Sequence, residues 1–315
     1  MSISVPVSPN TRVGFMSEFE SFVHLKDTVA AIDELTYDSL WVGDHIAFTS
    51  PVLDPMTQLA QAAALSSKLL VGTGIYLLPL RAAAVAAKQT STLDHLSEGR
   101  FIFGVGVGGE FPGEFAACGV PVTQRGARLE EGINVVRALW RGEPCSFNGR
   151  FNQFEDVQMQ PGTYLPGGPP IWCGGRSAAA LERIGRIANG WMSYVVTPEQ
   201  YRDGLARIAE GATSVGRCLG EMGTSHLLFA RMSDSREQAL DDAAAILSKR
   251  YAMDFRRPAD RYAALGTPAD MLAFMRQFHD VGVRHFILNF LGTPAEQTAQ
   301  AEQFAVEVLP ALREF

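Results

Sequence analysis

The feature that most constrains this chain is a repeated alternation of short strand-forming runs with longer helical runs. Eight such pairs follow one another along the 315 residues. The apolar positions of the first predicted helix recur at spacings of three and four: Phe22, Leu25, Val29 and Ile32. That spacing places one apolar face against a sheet. Because strands joined by helical crossovers pair in parallel, the pattern predicts a parallel sheet covered by helices.

Eight β/α units predict an α/β fold of the closed (β/α)8 TIM-barrel type, since closure removes the edges of a parallel sheet. An open doubly wound sheet is the alternative. One barrel domain over 1–315 is expected, with insertions at about 142–168, interpreted as a short β-ribbon, and 252–267, interpreted as irregular. Barrel strands are expected at 12–16, 39–42, 69–75, 101–107, 171–173, 191–194, 226–231 and 284–289. The last long helices are expected at 198–218, 235–251, 268–281 and 294–312.

Composition argues against several classes of partner. The formal net charge is -7 without a cluster of Lys or Arg, so neither nucleic acid nor a membrane surface is an expected partner. The most apolar stretch, 69–87, is interrupted by Pro79 and Arg81, which argues against a transmembrane helix. The four cysteines form no C-x-x-C pair: Cys118, Cys145, Cys173 and Cys218. This spacing favours reduced thiols in the cytoplasm and predicts no metal site.

Candidate site residues come directly after predicted strands, where the chemistry of a barrel lies. Asp44 and His45 follow the second strand. A neighbouring carboxylate and imidazole can transfer a proton, with His45 as general acid or base and Asp44 as its orienting partner. The alternative is that Asp44 caps a turn and His45 only packs.

Glycines follow the fourth strand in a pattern that permits two interpretations. Gly104, Gly106 and Gly109 satisfy G-x-G-x-x-G, which keeps an NAD(P)-dependent dehydrogenase open. That motif should open a helix in the first unit, whereas this one lies in the fourth. The better interpretation is a stretch of backbone without side chains, against which a ring can lie. Glu110 and Glu114 then lie at the rim, although Glu114 also fits a solvated loop.

Two further strand ends predict a ligand. Gly174, Gly175, Arg176 and Ser177 precede a helix, and exposed N–H groups, an Arg fork and a hydroxyl together indicate a phosphate site. Ser177 as a plain N-cap, with Arg176 on the surface, is the alternative. The segment 72–75 indicates a bulge approached by a flat ligand, or an ordinary distortion of the strand.

Several runs in order along the chain resemble the bacterial luciferase-like monooxygenase family. They are 38–45, 93–101, 104–108 and 170–175, followed by Gly190 and Trp191. The resemblance implies a (β/α)8 barrel with a flavin-type cofactor at its C-terminal mouth. The family divides between FMN users, which activate oxygen, and users of the deazaflavin coenzyme F420, which transfer hydride.

The resemblance also implies site residues. Its bulge after the third strand, often with a non-proline cis peptide, corresponds to Gly74 and Ile75. Its phosphate region corresponds to 174–177, and the Asp44–His45 pair is similar to that of the deazaflavin branch. The run 111–113 departs from the family pattern and puts the role of Glu110 in question.

The expectation is therefore an oxidoreductase that uses reduced coenzyme F420 for hydride transfer to or from a small organic substrate. An FMNH2-dependent monooxygenase, an NAD(P)-dependent dehydrogenase and a non-catalytic ligand-binding barrel are the alternatives. The expected catalytic residues are His45, Asp44 and Glu110. The expected cofactor-binding residues are Thr73, Gly74, Ile75, Gly106, Gly108, Gly174, Gly175, Arg176 and Ser177. A homodimer is the expectation from the resemblance.

Overall fold

The computed structural model describes residues 3–109 and 111–315. Its strands are β1 (Arg12–Met16), β2 (Ser39–Val42), β3 (Leu70–Thr73), β4 (Phe101–Val105), β5 (Cys145–Asn148), β6 (Gln153–Val157), β7 (Ile171–Gly174), β8 (Gly190–Tyr194), β9 (Gly223–Met232), β10 (Ala264–Gly266) and β11 (His285–Phe290). Its helices are α1 (Phe22–Glu34), α2 (Pro55–Leu65), α3 (Ala83–Leu96), α4 (Pro112–Ala117), α5 (Arg125–Trp140), α6 (Ala178–Ile187), α7 (Pro198–Thr213), α8 (Arg236–Tyr251), α9 (Arg256–Tyr262), α10 (Pro268–Asp280), α11 (Pro294–Glu307) and α12 (Leu309–Leu312), with 3-10 turns at Leu78–Leu80 and Val122–Gln124. None of these helices has the length and apolar content needed to cross a lipid bilayer.

Eight parallel strands close on themselves, which confirms the predicted barrel over the open sheet. Their order is β1, β2, β3, β4, β7, β8, β9 and β11, and β11 pairs again with β1. Phe15 of β1 illustrates the closure, because it lies opposite Leu40 of β2 and Leu288 of β11. The short strand β10 extends the end of β9. All eight C-terminal strand ends therefore face one rim.

Local signals in the sequence produced the expected elements at several places. Asp54 is the N-cap of α2, and its Oδ1 accepts a hydrogen bond from the Thr57 N–H at 3.0 Å. The insertion at 142–168 contains the antiparallel ribbon β5–β6. The four cysteines are free.

Three expectations about helices were wrong. The helix expected over 198–218 ends at Thr213, and the left-handed φ of +67° at Gly216 belongs to the turn that follows it. The helix expected over 294–312 is divided at Val308, two residues before Pro310. Phe22, expected on the buried face of α1, is 53% exposed.

Three further elements were not expected. The stretch 252–267, interpreted as irregular, contains α9 and β10, because Ala259 and Ala263 are buried against apolar side chains of α8 and β9. Helix α4 begins at Pro112, three residues beyond Gly109. No described residue of the run 104–109 begins a helix, which argues against the dinucleotide-binding alternative.

Two stacked indoles fill the lower part of the barrel interior. The rings of Trp41 and Trp172 lie 5.4 Å apart between centroids with planes at 27°. Glycines on β3 and β9 make the room, because a Cβ on Gly72 would lie 2.3 Å from Trp41 and one on Gly223 would lie 2.3 Å from Trp172. His285 meets both indoles edge-on at 5.5 Å. This layer closes the barrel from below.

A hydrogen-bonded chain holds His285 in its neutral form. The Trp41 Nε1–H donates to Ser39 Oγ at 2.7 Å, and Ser39 Oγ lies 2.7 Å from His285 Nε2. An indole N–H can only donate, so the Ser39 hydroxyl accepts from Trp41 and its own proton is available to the neutral imidazole. Burial lowers the pKa of His285 to about 3. The imidazole therefore stays uncharged in the folded protein.

Acidification is expected to destabilise the protein partly through His285. The unfolded chain takes up the proton near the ordinary pKa of 6.5, whereas the folded state resists it down to about 3. As the pH falls between these values, the free energy of unfolding should drop by up to about 1.4 kcal/mol per pH unit for this group. Urea unfolding at a series of pH values measures the slope. His285→Gln should flatten it and the exposed His95→Gln should not, so equal slopes in wild type and His285→Gln would contradict this account.

Candidate active site

A cavity of about 320 Å³ opens at the C-terminal rim, within the size range of ligand pockets. Its lining comes from residues at or after the ends of the barrel strands, together with the end of α8. One side is bare backbone: Gly74, Gly108, Gly109, Gly174 and Gly175. The side chains that carry charge or polarity lie mostly elsewhere around the rim: Glu18, His45, Arg250 and Asn289. The cavity therefore has a glycine-lined half and a polar half.

The predicted bulge after β3 forms part of the glycine-lined half. The Gly74–Ile75 peptide bond is cis, as the resemblance implied. The Ile75 side chain leans over the backbone of β4 and β7, since a Cβ on Gly106 would lie 1.7 Å from Ile75 Cδ1 and one on Gly174 would lie 3.3 Å from it. Gly106 thus makes room for Ile75 and is not among the residues lining the cavity. The main chain at 74–75 presents a flat surface to a ligand.

The loop between β7 and α6 forms one end of the same half. Gly175 has φ of +137°, and a Cβ there would lie 2.6 Å from Ala180 Cβ, so only glycine fits. The Trp191 Nε1–H donates to the Gly175 carbonyl at 2.8 Å and fixes the loop. Ser177 caps α6 through a bond from the Ala180 N–H. The free N–H groups of the first helical turn follow directly, an arrangement that favours an anion.

Two predicted cofactor residues point away from the cavity, and a third borders it. The Thr73 hydroxyl is buried and donates to the Gly104 carbonyl at 2.6 Å, which holds β3 to β4. The exposed Ser177 is an N-cap and is not among the lining residues. Arg176 lines the cavity and donates to the Val195 carbonyl at 3.2 Å. Arg176 also lines a second cavity of about 730 Å³, bordered by 253–262 of the second insertion.

His45 is held by a carboxylate that the sequence did not identify as its partner. Its Nδ1 lies 3.1 Å and 3.3 Å from the two carboxylate oxygens of Glu114, a residue of α4 that is 1% exposed. Glu114 Oε1 also accepts from the Ile46 and Ala47 N–H groups at 2.6 Å and 3.1 Å. The interpretation of Glu114 as a solvated loop residue is therefore wrong. Because the carboxylate accepts at Nδ1–H, Nε2 is the ring nitrogen left for a ligand.

Two aromatic rings fix the plane of the His45 imidazole. Phe48 stacks on it at 4.1 Å between centroids with planes at 6°, and Phe111 meets it edge-on at 5.4 Å. Both phenyl rings also line the cavity. The imidazole is thus oriented by packing as well as by its hydrogen bond, and the phenyl rings exclude water from one side of it.

Asp44 does not orient His45, so that part of the prediction was wrong. Its buried carboxylate accepts from the Leu77 N–H at 2.7 Å and from Arg81 Nη2 at 2.7 Å. Burial raises the pKa of Asp44, while Arg81 and the Leu77 N–H oppose that shift. The contacts tie the end of β2 to the turn after β3. Glu110, the third expected catalytic residue, lies outside the described residues.

Three polar residues of the cavity were missed from the sequence. Glu18 follows β1 and Asn289 lies near the end of β11, so the strand-end rule that found His45 applies to both. The Asn289 side chain is 4% exposed, and its Oδ1 has no partner within the described part of the chain. Arg250 comes from the last turn of α8 and had no signal in the strand pattern.

Replacing Arg81 tests how much the stability of the protein depends on the ion pair between Arg81 and Asp44. Arg81→Met leaves the Asp44 carboxylate buried without a cation, which is expected to lower the free energy of unfolding by about 3 to 5 kcal/mol. Adding Asp44→Asn should recover much of that loss, as urea unfolding will measure. The exposed Arg202–Asp203 pair at 2.9 Å is the control, and Arg202→Met should change stability by less than about 1 kcal/mol. No recovery in the double variant would contradict a charge-based cause.

Comparisons with known proteins give the same assignment as this geometry. F420-dependent glucose-6-phosphate dehydrogenase of Nakamurella multipartita is 26% identical, covering 97% of each chain. The 4-hydroxyprotoasukamycin monooxygenase of Streptomyces nodosus is 28% identical over 75% of this chain and 64% of its own. Among solved structures, an F420-dependent secondary alcohol dehydrogenase superposes with a TM-score of 0.85 at 18% identity, covering 96% of this chain and 99% of that one. The family model described as luciferase-like monooxygenase matches residues 2–309, and the chain belongs to that family.

Proposed function

We propose that this protein is an oxidoreductase that uses coenzyme F420 to transfer hydride between the coenzyme and an alcohol or carbonyl carbon of a small organic substrate. The observation that carries the proposal is the position of His45, oriented by Glu114, on the cavity whose other half is bare glycine backbone. A flat ring and a proton-transferring imidazole can then face each other in one site.

The residues of the glycine-lined half fit a flavin-type cofactor. Gly74 and Ile75 lie on the cavity lining, and the positive φ values at Gly108 and Gly175 let the backbone approach a ligand. The start of α6 and Arg176 would hold the phosphate. When bound, coenzyme F420 supplies a carbon that accepts or returns a hydride.

Residues of the chain itself would accept and return the proton. In the oxidation of an alcohol, His45 Nε2 accepts the hydroxyl proton, while the Glu114 carboxylate at Nδ1 stabilises the charge that develops on the ring. In the reverse direction Nε2 returns the proton to the carbonyl oxygen. Phe48 and Phe111 shield one side of the imidazole from water, which favours exchange of the proton with a bound substrate.

An FMN-dependent monooxygenase is the second candidate, because the monooxygenase of Streptomyces nodosus is 28% identical over 75% of this chain, against 26% over 97% for the F420-dependent relative of Nakamurella multipartita. Two features of the site favour the first. His45 has a carboxylate partner that would support proton transfer from an alcohol, and the second cavity continues beyond Arg176, with room for a cofactor longer than FMN.

We also propose that the protein acts in the cytoplasm as a homodimer on a small-molecule substrate, without a nucleic-acid or membrane partner. Four free cysteines suit a reducing compartment. The formal net charge of -7 repels polyanions. The homodimer rests on the family assignment alone.

Titration with each cofactor tests the proposal directly. Coenzyme F420 should bind in the micromolar range or tighter, and FMN at least about tenfold more weakly, as cofactor fluorescence will measure. Gly175→Ala should weaken F420 binding about tenfold or more, since a Cβ there disturbs the loop before α6. Gly167→Ala is the control, with a similar positive φ of +86° in a loop away from the cavity. Preferential binding of FMN would favour the monooxygenase, and binding of neither would overturn both candidates.

His45→Gln should separate chemistry from binding. Loss of the proton acceptor is expected to reduce kcat by about 10² to 10⁴ while the F420 dissociation constant stays unchanged. Glu114→Gln should give a smaller loss of kcat, because the ring keeps its place but loses charge stabilisation. Stopped-flow absorbance of the coenzyme measures the hydride step, with His95→Gln as a control. A His45→Gln variant with wild-type kcat would remove His45 from the mechanism.

A further inference from the structure

Arg250 is a largely buried cation on the polar half of the main cavity. Its side chain is 15% exposed, and it reaches the cavity from the last turn of α8. The guanidinium carbon lies 5.9 Å from the centroid of the Phe229 ring. Arg250 lies apart from the proposed phosphate region, which is formed by 174–177.

The guanidinium lacks a hydrogen-bond acceptor among the described residues. The closest acidic oxygen, Glu18 Oε1, is 3.9 Å from Arg250 Nη1, which is too far for a hydrogen bond. No other acceptor for this guanidinium occurs among residues 3–109 and 111–315. Five N–H donors held in a confined, largely apolar site call for an acceptor that a ligand supplies.

A second polar side chain with an unpartnered atom lies in the same half of the cavity. Asn289 is 4% exposed and its Oδ1 has no partner within the described residues, although it belongs to the cavity lining. Around the barrel β11 lies between β1, which precedes Glu18, and β9, which precedes Arg250. Asn289 of β11 is therefore on the arc of the rim between these two strands. The Asn289 oxygen can only accept, so it calls for a donor such as a substrate hydroxyl, whereas the Arg250 guanidinium calls for an acceptor.

Resting on the proposed function, we propose that Arg250 binds the carboxylate of a monoanionic substrate whose apolar body lies against Phe48 and Phe229. Planar guanidinium and carboxylate groups match in a two-bond arrangement. The charge balance selects a monoanion, because Glu18 at 3.9 Å already offsets part of the single positive charge and would disfavour a phosphate dianion. The phenyl rings of Phe48 and Phe229 supply apolar contact.

Matched probes test the charge preference without knowledge of the natural substrate. Ligand-observed NMR titrations of the full chain, with and without coenzyme F420, would compare 3-phenylpropionate, its amide and phenyl phosphate. The carboxylate should bind at least about tenfold more tightly than the amide, the size of one charge-assisted hydrogen bond. Arg250→Met should remove that preference. Lys249→Met, which removes an exposed charge one residue earlier, should leave it intact.

A second variant keeps the test decisive if Arg250→Met fails to fold. Glu18→Gln removes the competing carboxylate and should strengthen binding of 3-phenylpropionate several-fold while the amide is unaffected. Equal affinity for carboxylate and amide in the wild type, a preference that survives Arg250→Met, tighter binding of phenyl phosphate, or binding of no probe would each overturn the proposal. Failure of F420 to bind, with the carboxylate preference present, would instead overturn the proposed function alone.

Discussion

The stacking of Trp41 on Trp172 inside the barrel is the constraint on which the rest of the structure depends. The two stacked indoles fit because Gly72 of β3 and Gly223 of β9 have no side chains and leave space for them. With His285 they fill the lower interior, so the barrel is a solid core there. Nearer the rim the side chains that point inward fill less of the barrel interior. The space that remains is the cavity. The position of the site therefore follows from where the aromatic volume is placed.

The sequence predicted the barrel because each strand and helix carries its own periodicity and the number of units determines closure. It predicted elements best where the signal is local, as with the cap at Asp54, and worst where burial decides. Helix α9 forms because Ala259 and Ala263 meet apolar residues that are distant in sequence, which no pattern within 252–267 reveals. The break of the last helix at Val308 had a local signal in Pro310 that was overlooked.

The sequence predicted which residues reach the site, but not which side chains contact one another there. Residues after strands line the cavity as expected, including His45 and Gly175, because parallel strands deliver their ends to one rim. The partner of His45 could not be found this way, since adjacent side chains of an extended segment point in opposite directions. Asp44 therefore turns to Arg81, and His45 meets Glu114, 69 residues later in the chain. Only the folded backbone brings that second carboxylate within reach.

The charged side chains around the cavity are not distributed like the charge of the whole chain. Two buried carboxylates of the lining have partners in the protein: Asp44 pairs with Arg81, and Glu114 accepts from His45 Nδ1–H and two backbone N–H groups. Arg176 and Arg250 keep most of their charge available on the lining. The lining therefore carries a guanidinium at each of two places although the formal net charge is -7. These cations would suit the phosphorylated cofactor proposed for the glycine-lined half and the anionic substrate proposed for the polar half.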